Sequence, residues 1–275
     1  MADLTPPQPQ PPAPPQSPAD EDDRTFVTAL ARGLDVLRCF RPDETALTNQ
    51  EIAARTGLPK PTVSRLTYTL RKLGYLVHSE RTGTYRLGAG VLALGYGVLA
   101  GLEIGELAKE EMRALCEGPS PHVTAALGER HRLRMVYMAV RRTSEGVSLT
   151  MNVGARLPLF HSAMGRAVLA AMSDAERDHM LRLAVQEKPE DGDRLRRSLE
   201  QALESYDRHG FCTSFGDWRT EVNGIAVPIA SLGGDRLYGL NVGGPSFLVS
   251  PEMLMDEYGA RLLAAGRALN RKGGA

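Results

Sequence analysis

Apolar residues in the first third of the chain recur at helical spacing. From Thr25 onward, Phe26, Leu30, Leu34, Leu37 and Phe40 fall three or four residues apart, and Arg41-Pro42 closes the run. A second helix starts at Thr48, where Glu51 completes a capping box and Leu47 can staple to Ile52. Gly57 suits a left-handed cap at its end, and Pro59 and Pro61 open a third helix. There Val63, Leu66, Leu70 and Leu73 lie within about 80° of one another, which makes them a core face. Ser64, Tyr68, Lys72 and, slightly off-centre, Arg65 occupy the opposite side. "YLVHS" and "TYRL", joined by "ERTG", then read as a hairpin with Gly83 in its turn. Three helices followed by a basic-tipped hairpin is the winged helix-turn-helix plan. A helix offering hydroxyls, a guanidinium and an ammonium can enter a major groove while its neighbours grip phosphates.

Residues 88–101, "GAGVLALGYGVLAG", are apolar at helical spacing and predict a helix packed on a partner and bridging two domains. Their glycines do not form a dinucleotide fingerprint, because the GxGxxG order and a surrounding βαβ unit are missing. Beyond them the pattern predicts helices at 103–117, 164–171, 173–184, 194–208 and 251–270. Ser173/Glu176 repeats the capping-box spacing, and Ser250-Pro251 is a further helix start. Strands are predicted at "HVTAAL", "LRMVYMAV", "VSLTMNV", "GIAVPIA" and "LYGLNVG". The connections favour an α+β antiparallel sheet over a parallel one.

Composition changes this picture at the N-terminus. Residues 1–23 hold eight prolines and almost no large apolar side chains, which predicts a disordered acidic tail. The net charge of zero hides an asymmetry. The tail carries −5, residues 24–88 carry +6 from eleven Lys/Arg against five Asp/Glu, and the remainder carries −1. The positive block coincides with the helix pair and suits a nucleic-acid partner. No apolar run approaches the roughly 20 residues that span a bilayer, and the N-terminus does not read as a signal peptide. Cys39, Cys116 and Cys212 are odd in number and far apart, which speaks against disulfides or a zinc site and for the cytoplasm.

With these elements placed, the chain resembles the IclR family of bacterial transcription regulators. The matching stretches are "ALARGLDVLRCF", "TNQEIAARTGLPKPTVSRLTYTLRKLGYL", "TYRLGAGVLALG", "GARLPLFHSAMGRAVLA", "HGFCTSFGDWRTEVNGIAVPI" and "GLNVGGP". The Pro-rich tail lies outside the pattern. The resemblance implies a winged helix-turn-helix DNA-binding domain over 24–87, a linker helix over 88–102 and a GAF-like effector-binding domain over 103–272. It also implies a homodimer or dimer of dimers on an operator controlling a catabolic operon, as repressor or activator. The effector class it implies is a small carboxylic acid, and RNA polymerase is a further candidate partner.

Carried over residue by residue, the recognition helix is 60–73. Arg65 is the candidate for a base-edge contact, since a guanidinium matches guanine O6 and N7. Thr62 and Ser64 reach bases or phosphates, Lys60 and Tyr68 reach phosphates, and Arg81 at the hairpin tip reaches backbone or minor groove. Solvated faces are the plain alternative for each.

For the effector, the loop entering the helix near Met164 offers free backbone N–H groups and the positive end of a helix dipole. The resemblance assigns that role to Ser162, Ala163, Met164 and Gly165, with Ala226, Asn241 and Gly243 as a second wall. Here the chain departs from relatives carrying cysteine and serines: Ala226 donates no hydrogen bond, and Asn241 with Gly243 replaces two hydroxyls by one amide. A flatter acid such as an aromatic carboxylate fits better than a very small polar one. Trp218, the one tryptophan, is a candidate for pocket or core, and Met135, Met138 and Met151 read first as core. His161 reads as structural and Arg166 as pointing outward. No catalytic residue, cofactor or metal set is assigned, since no GxSxG elbow and no two-His-plus-acid spacing occur. An enzyme using His161-Ser162 or Cys212, and control by a protein partner or oxidation, are the competing readings.

Overall fold

The computed structural model describes residues 25–41, 44–100, 103–146, 151–231 and 236–272. The expected tail lies outside them. The chain divides into two compact units between Ala100 and Gly101.

The first unit holds α1 (Thr28–Arg38), β1 (Leu47–Thr48), α2 (Asn49–Thr56), α3 (Lys60–Lys72), β2 (Leu76–Ser79), β3 (Thr84–Leu87) and α4 (Ala89–Ala100). The local signals act as their chemistry dictates. Thr48 and Glu51 form the reciprocal capping box, and Gly57 closes α2 at φ 68°. Pro59 caps α3. The hairpin gains a third strand that the pattern did not show, since β1 pairs with β3 to give the order β1-β3-β2. Val36, Phe40, Leu47, Ile52, Val63 and Leu76 fill the core.

Two apolar expectations need correction here. Leu73 is 63% exposed because α3 ends at Lys72, and the buried Thr67 takes a place in the core face. In α1, Leu30 and Leu34 are 63% and 45% exposed. That helix faces inward through Val36 and Gly33, the latter against Leu66. Helix α4 is half-buried at Gly90 and Val91 and exposed from Leu92 to Val98, with Leu92, Leu94, Tyr96 and Val98 open to solvent.

The second unit holds α5 (Glu103–Cys116), β4 (Thr124–His131), β5 (Arg134–Arg142), β6 (Arg156–Pro158), α6 (Ala163–Ala171), α7 (Asp174–Glu187) and α8 (Gly192–His209). It continues with β7 (Cys212–Phe215), β8 (Val222–Ala230), β9 (Leu237–Pro245), α9 (Pro251–Met253) and α10 (Gly259–Lys272), with a π-helical stretch over Leu254–Tyr258 between the last two. The sheet order is β6-β5-β4-β9-β8-β7, and every pairing is antiparallel. Strands β6 and β7 are too short for a periodic signal. Of the strand expected at 147–153, residues 147–150 lie outside the described set and 151–153 are not strand.

Both sheet faces are covered. Ala125, Leu127, Ile225, Val227, Leu240 and Val242 point to a core shared with α5 and α10. The alternate positions Ala126 and Ala226 point to a second core with α6, α7 and α8. A strand buried on both sides needs no polar face, which explains the near-continuous apolar runs. No helix among the described residues is long and apolar enough to cross a membrane.

Candidate functional site

Two surfaces carry candidate chemistry. On the first unit, Lys60, Ser64, Arg65, Tyr68 and Arg81 are exposed and Thr62 is half-buried. Asn49 ties the two helices together: its Oδ1 accepts from the Thr67 hydroxyl at 3.1 Å, and its Nδ2 reaches Ser64 Oγ at 3.4 Å. Ser64 is thus partly engaged within the motif. Arg71 and Lys72 each sit 5.7 Å from the centre of the Tyr68 ring, so this ring carries two cations on the exposed side of α3. The turn of Thr82 and Gly83 (φ 67°) presents Arg81 at the tip of the β2–β3 hairpin.

In the second unit a cavity opens beneath the N-terminus of α6. The cavity proper is about 40 Å³, inside a hollow of about 480 Å³ that includes its open mouth. Its floor follows from strand register. Ser214, Gly224, Gly243 and Thr124 form one row across β7, β8, β9 and β4. The next row is Cys212, Ala226, Asn241 and Ala126. Small residues in the middle of the sheet leave space that branched side chains would fill. The same economy brings α6 close. A Cβ on Gly239 would fall 2.5 Å from Met164 Cγ, and one on Gly165 would fall 2.0 Å from the Leu159 carbonyl oxygen.

Of the residues expected at the effector site, Ser162, Ala163, Met164, Trp218, Asn241 and Gly243 line the cavity. Gly165 and Ala226 do not. Gly165 is turned to the Leu159 backbone, and Ala226, one row on from Gly224, is packed into the core. The Ser162 hydroxyl is also committed: it donates to the Pro158 carbonyl at 2.7 Å and accepts from the Gly165 amide at 3.1 Å. The expected amide set therefore reduces to Ala163 and Met164, whose N–H groups in the first turn have no intrahelical acceptor.

Thr124, Tyr137, Ser214 and Asn223 also line the cavity and were not expected there; Ser214 and Asn223 are engaged with the His161 and Val249 carbonyls. Among the described residues, the buried Thr124 Oγ1 and Asn241 Oδ1 have no hydrogen-bond partner. Burial pushes the Tyr137 hydroxyl up to about 12, with the adjacent Asn241 amide partly offsetting it, so it stays a donor at neutral pH. Nothing local marks Thr124 on β4 or Tyr137 on β5, since only strand pairing brings them beside Asn241 on β9.

Arg166 reverses its expected orientation. It is 4% exposed and donates to the Phe160 and Thr213 carbonyls, to Ser198 and to Asp217, joining α6 to α8 and to the loop after β7. Asp217 precedes Trp218, so this cluster also fixes the cavity wall. His161 is partly buried near it, and burial followed by Arg194 and Arg166 holds its imidazole down to about 4. Its burial and the neighbouring cations favour the neutral imidazole.

Cys212 is fully buried, its thiol pushed up to about 12 by burial while it donates to the Ala202 carbonyl. A protonated, inaccessible sulfur is no nucleophile. Among the described residues no group of three or more His, Cys, Asp or Glu is placed to hold a metal ion.

Residues 29–80 match the family model of the IclR helix-turn-helix domain, and residues 96–271 match that of the bacterial transcriptional regulator IclR C-terminal domain. The regulator TsaQ1/TsaQ2 of Comamonas testosteroni is 33% identical over 239 residues, 86% of this chain and 85% of the relative. A crystal structure of an IclR family regulator from Brucella abortus superposes with a TM-score of 0.84 at 42% identity, covering 96% of this chain and 99% of that one. A Microbacterium hydrocarbonoxydans homologue complexed with 4-hydroxybenzoate gives a TM-score of 0.66 at 25% identity, covering 88% and 98%.

Proposed function

The chain belongs to the IclR family of bacterial transcriptional regulators, and we propose that it is a ligand-responsive member acting in the cytoplasm on a (pseudo)palindromic operator of a catabolic operon. Helix α3 would enter the major groove, with Arg65 on a base edge and Lys60, Thr62, Ser64, Tyr68 and Arg81 positioned for phosphates or neighbouring bases. One such unit makes too few phosphate contacts to hold DNA at cellular salt, so two copies on two half-sites are required energetically. The exposed apolar side chains of α4 favour a homodimer, itself able to pair into a dimer of dimers.

The effector is a small organic acid, best an aromatic carboxylate. The observation that carries this reading is the cavity under α6, where the Ala163 and Met164 amides and the helix dipole meet a flat, glycine-floored space. At about 40 Å³ it holds a few waters, so an aromatic ring enters only as the unbranched Met164 and Met151 side chains swing aside. The homologue bound to 4-hydroxybenzoate supports the same class. Binding changes DNA affinity only through a difference in effector affinity between the operator-bound and free states.

Thermal melting of the full chain with aliphatic and aromatic carboxylates tests this. Aromatic acids should raise the Tm by mass action and alter operator binding in gel shifts. No shift from any acid, with operator binding intact, would overturn the effector reading in favour of a protein partner acting on the second unit.

A further inference from the structure

We propose that Asn241 and Thr124 select an effector that carries a hydroxyl group away from its carboxylate. This rests on the aromatic-acid reading above and sharpens it. Both residues line the cavity, and each presents a buried side-chain oxygen with no hydrogen-bond partner among the described residues. Thr124 is only 7% exposed, and its hydroxyl faces the cavity rather than the protein surface. Leaving two such atoms unmatched is costly, and native cores rarely tolerate it without a ligand or water to complete them.

The two groups differ in what they require. The carbonyl oxygen of Asn241 is an acceptor and calls for a donor, whereas the Thr124 hydroxyl donates or accepts. A carboxylate has no proton to give, so it cannot satisfy Asn241 Oδ1 and would face it oxygen to oxygen. A hydroxyl satisfies both, donating to Asn241 while accepting from Thr124. Register supports a shared ligand group. Thr124 stands opposite Gly243, two residues from Asn241 on the same face, which makes the two a diagonal pair within reach of one group. Neighbouring positions on that face are Gly243, Ala126 and Ala226, so no bulky side chain intervenes.

The polarity of the cavity therefore sorts itself. The anionic end of the effector takes the α6 amides of Ala163 and Met164, and the hydroxyl end takes Asn241 and Thr124. Tyr137, beside Asn241, closes the hydroxyl end with a further donor.

Calorimetric titration of the full chain with 4-hydroxybenzoate, 3-hydroxybenzoate and benzoate tests the assignment. At least one hydroxylated acid should bind about tenfold or more tighter than benzoate, the scale of one well-made hydrogen bond with no unmatched partner left behind. Asn241→Leu, similar in size but without the acceptor, should bring the acids to within about twofold. Thr124→Val is the second variant, and it should narrow the preference while thermal melting and operator binding certify the fold. Equal affinities in the wild type, with benzoate binding well, would overturn the hydroxyl assignment and leave the carboxylate reading standing; water would then be what meets the two oxygens. A preference that survives both substitutions would overturn the role of these residues. If none of the three acids binds, both readings fall together.

Discussion

Arg166 Nη1 lies 2.8 Å from Asp217 Oδ2, with the arginine side chain 5% exposed and the aspartate 40% exposed. The pair is lopsided, and its energetics should be lopsided too. Removing the guanidinium takes a donor from the Phe160 and Thr213 carbonyls and from Ser198, leaves Phe160 O with the Ser198 hydroxyl, and opens a void between α6 and α8, so Arg166→Ala should lose about 3–5 kcal/mol in urea unfolding. Asp217→Ala leaves a cation that still has those acceptors, and should lose about 1 kcal/mol. Equal losses would show that the ion pair, rather than the ring of acceptors, holds Arg166.

The depressed imidazole of His161 predicts a pH dependence. Folded, it titrates near 4, while in the unfolded chain it titrates near its ordinary 6.5. Between those values the unfolded chain binds the extra proton, so stability falls as pH falls through the window. His161 is partly exposed, so solvent screening holds the loss attributable to it to about 1–2 kcal/mol, largely complete near pH 4. His161→Gln should flatten that part of a stability-against-pH curve. An unchanged slope would assign the acid sensitivity to other groups.

Arg65 is exposed on α3, and its guanidinium makes no hydrogen bond or ion pair among the described residues. Arg65→Ala should therefore leave the melting temperature unchanged. It should weaken operator binding by about 1–3 kcal/mol and reduce discrimination against scrambled DNA. Wild-type affinity for both DNAs would remove α3 from the base-reading role.

The helix after the wing predicts an assembly defect. Leu92 and Tyr96 are 75% and 69% exposed and one turn apart, so they share a face of α4. In a two-fold contact four such side chains would be covered, each stabilising the dimer by about 1.5–3 kcal/mol. Leu92→Ser with Tyr96→Ser should shift sedimentation toward monomer and weaken operator binding with it. A dimer of undiminished affinity would place the interface elsewhere.

A glycine test bears on the cavity. Gly239→Ala sets a Cβ 2.5 Å from Met164 Cγ and 3.1 Å from the Met164 carbonyl oxygen. The side chain can move but the backbone oxygen is less free, so α6 should lift from the sheet at a cost of about 1–3 kcal/mol. Carboxylate affinity should drop alongside the Tm. A melting curve identical to wild type would mean that α6 is not held as closely as its contacts imply.

The sequence by itself determined the local geometry. Thr48 with Glu51, Ser173 with Glu176, Gly57 and Pro59 set helix ends through bonds made within a few residues, and such bonds form wherever those residues meet. The antiparallel sheet and the basic face of α3 were legible for the same reason, since period and charge are properties of short stretches. What the tertiary structure decided are relations between distant strands. That Thr124, Gly243, Gly224 and Ser214 form one row, floored by glycine and roofed by α6, depends on the register of four strands. The inward turn of Arg166 toward Thr213 and Asp217, some fifty residues on, is equally invisible in the chain. Burial against remote partners decides whether a polar side chain is a solvated surface group or part of a site, and helical phase alone carries no record of those partners.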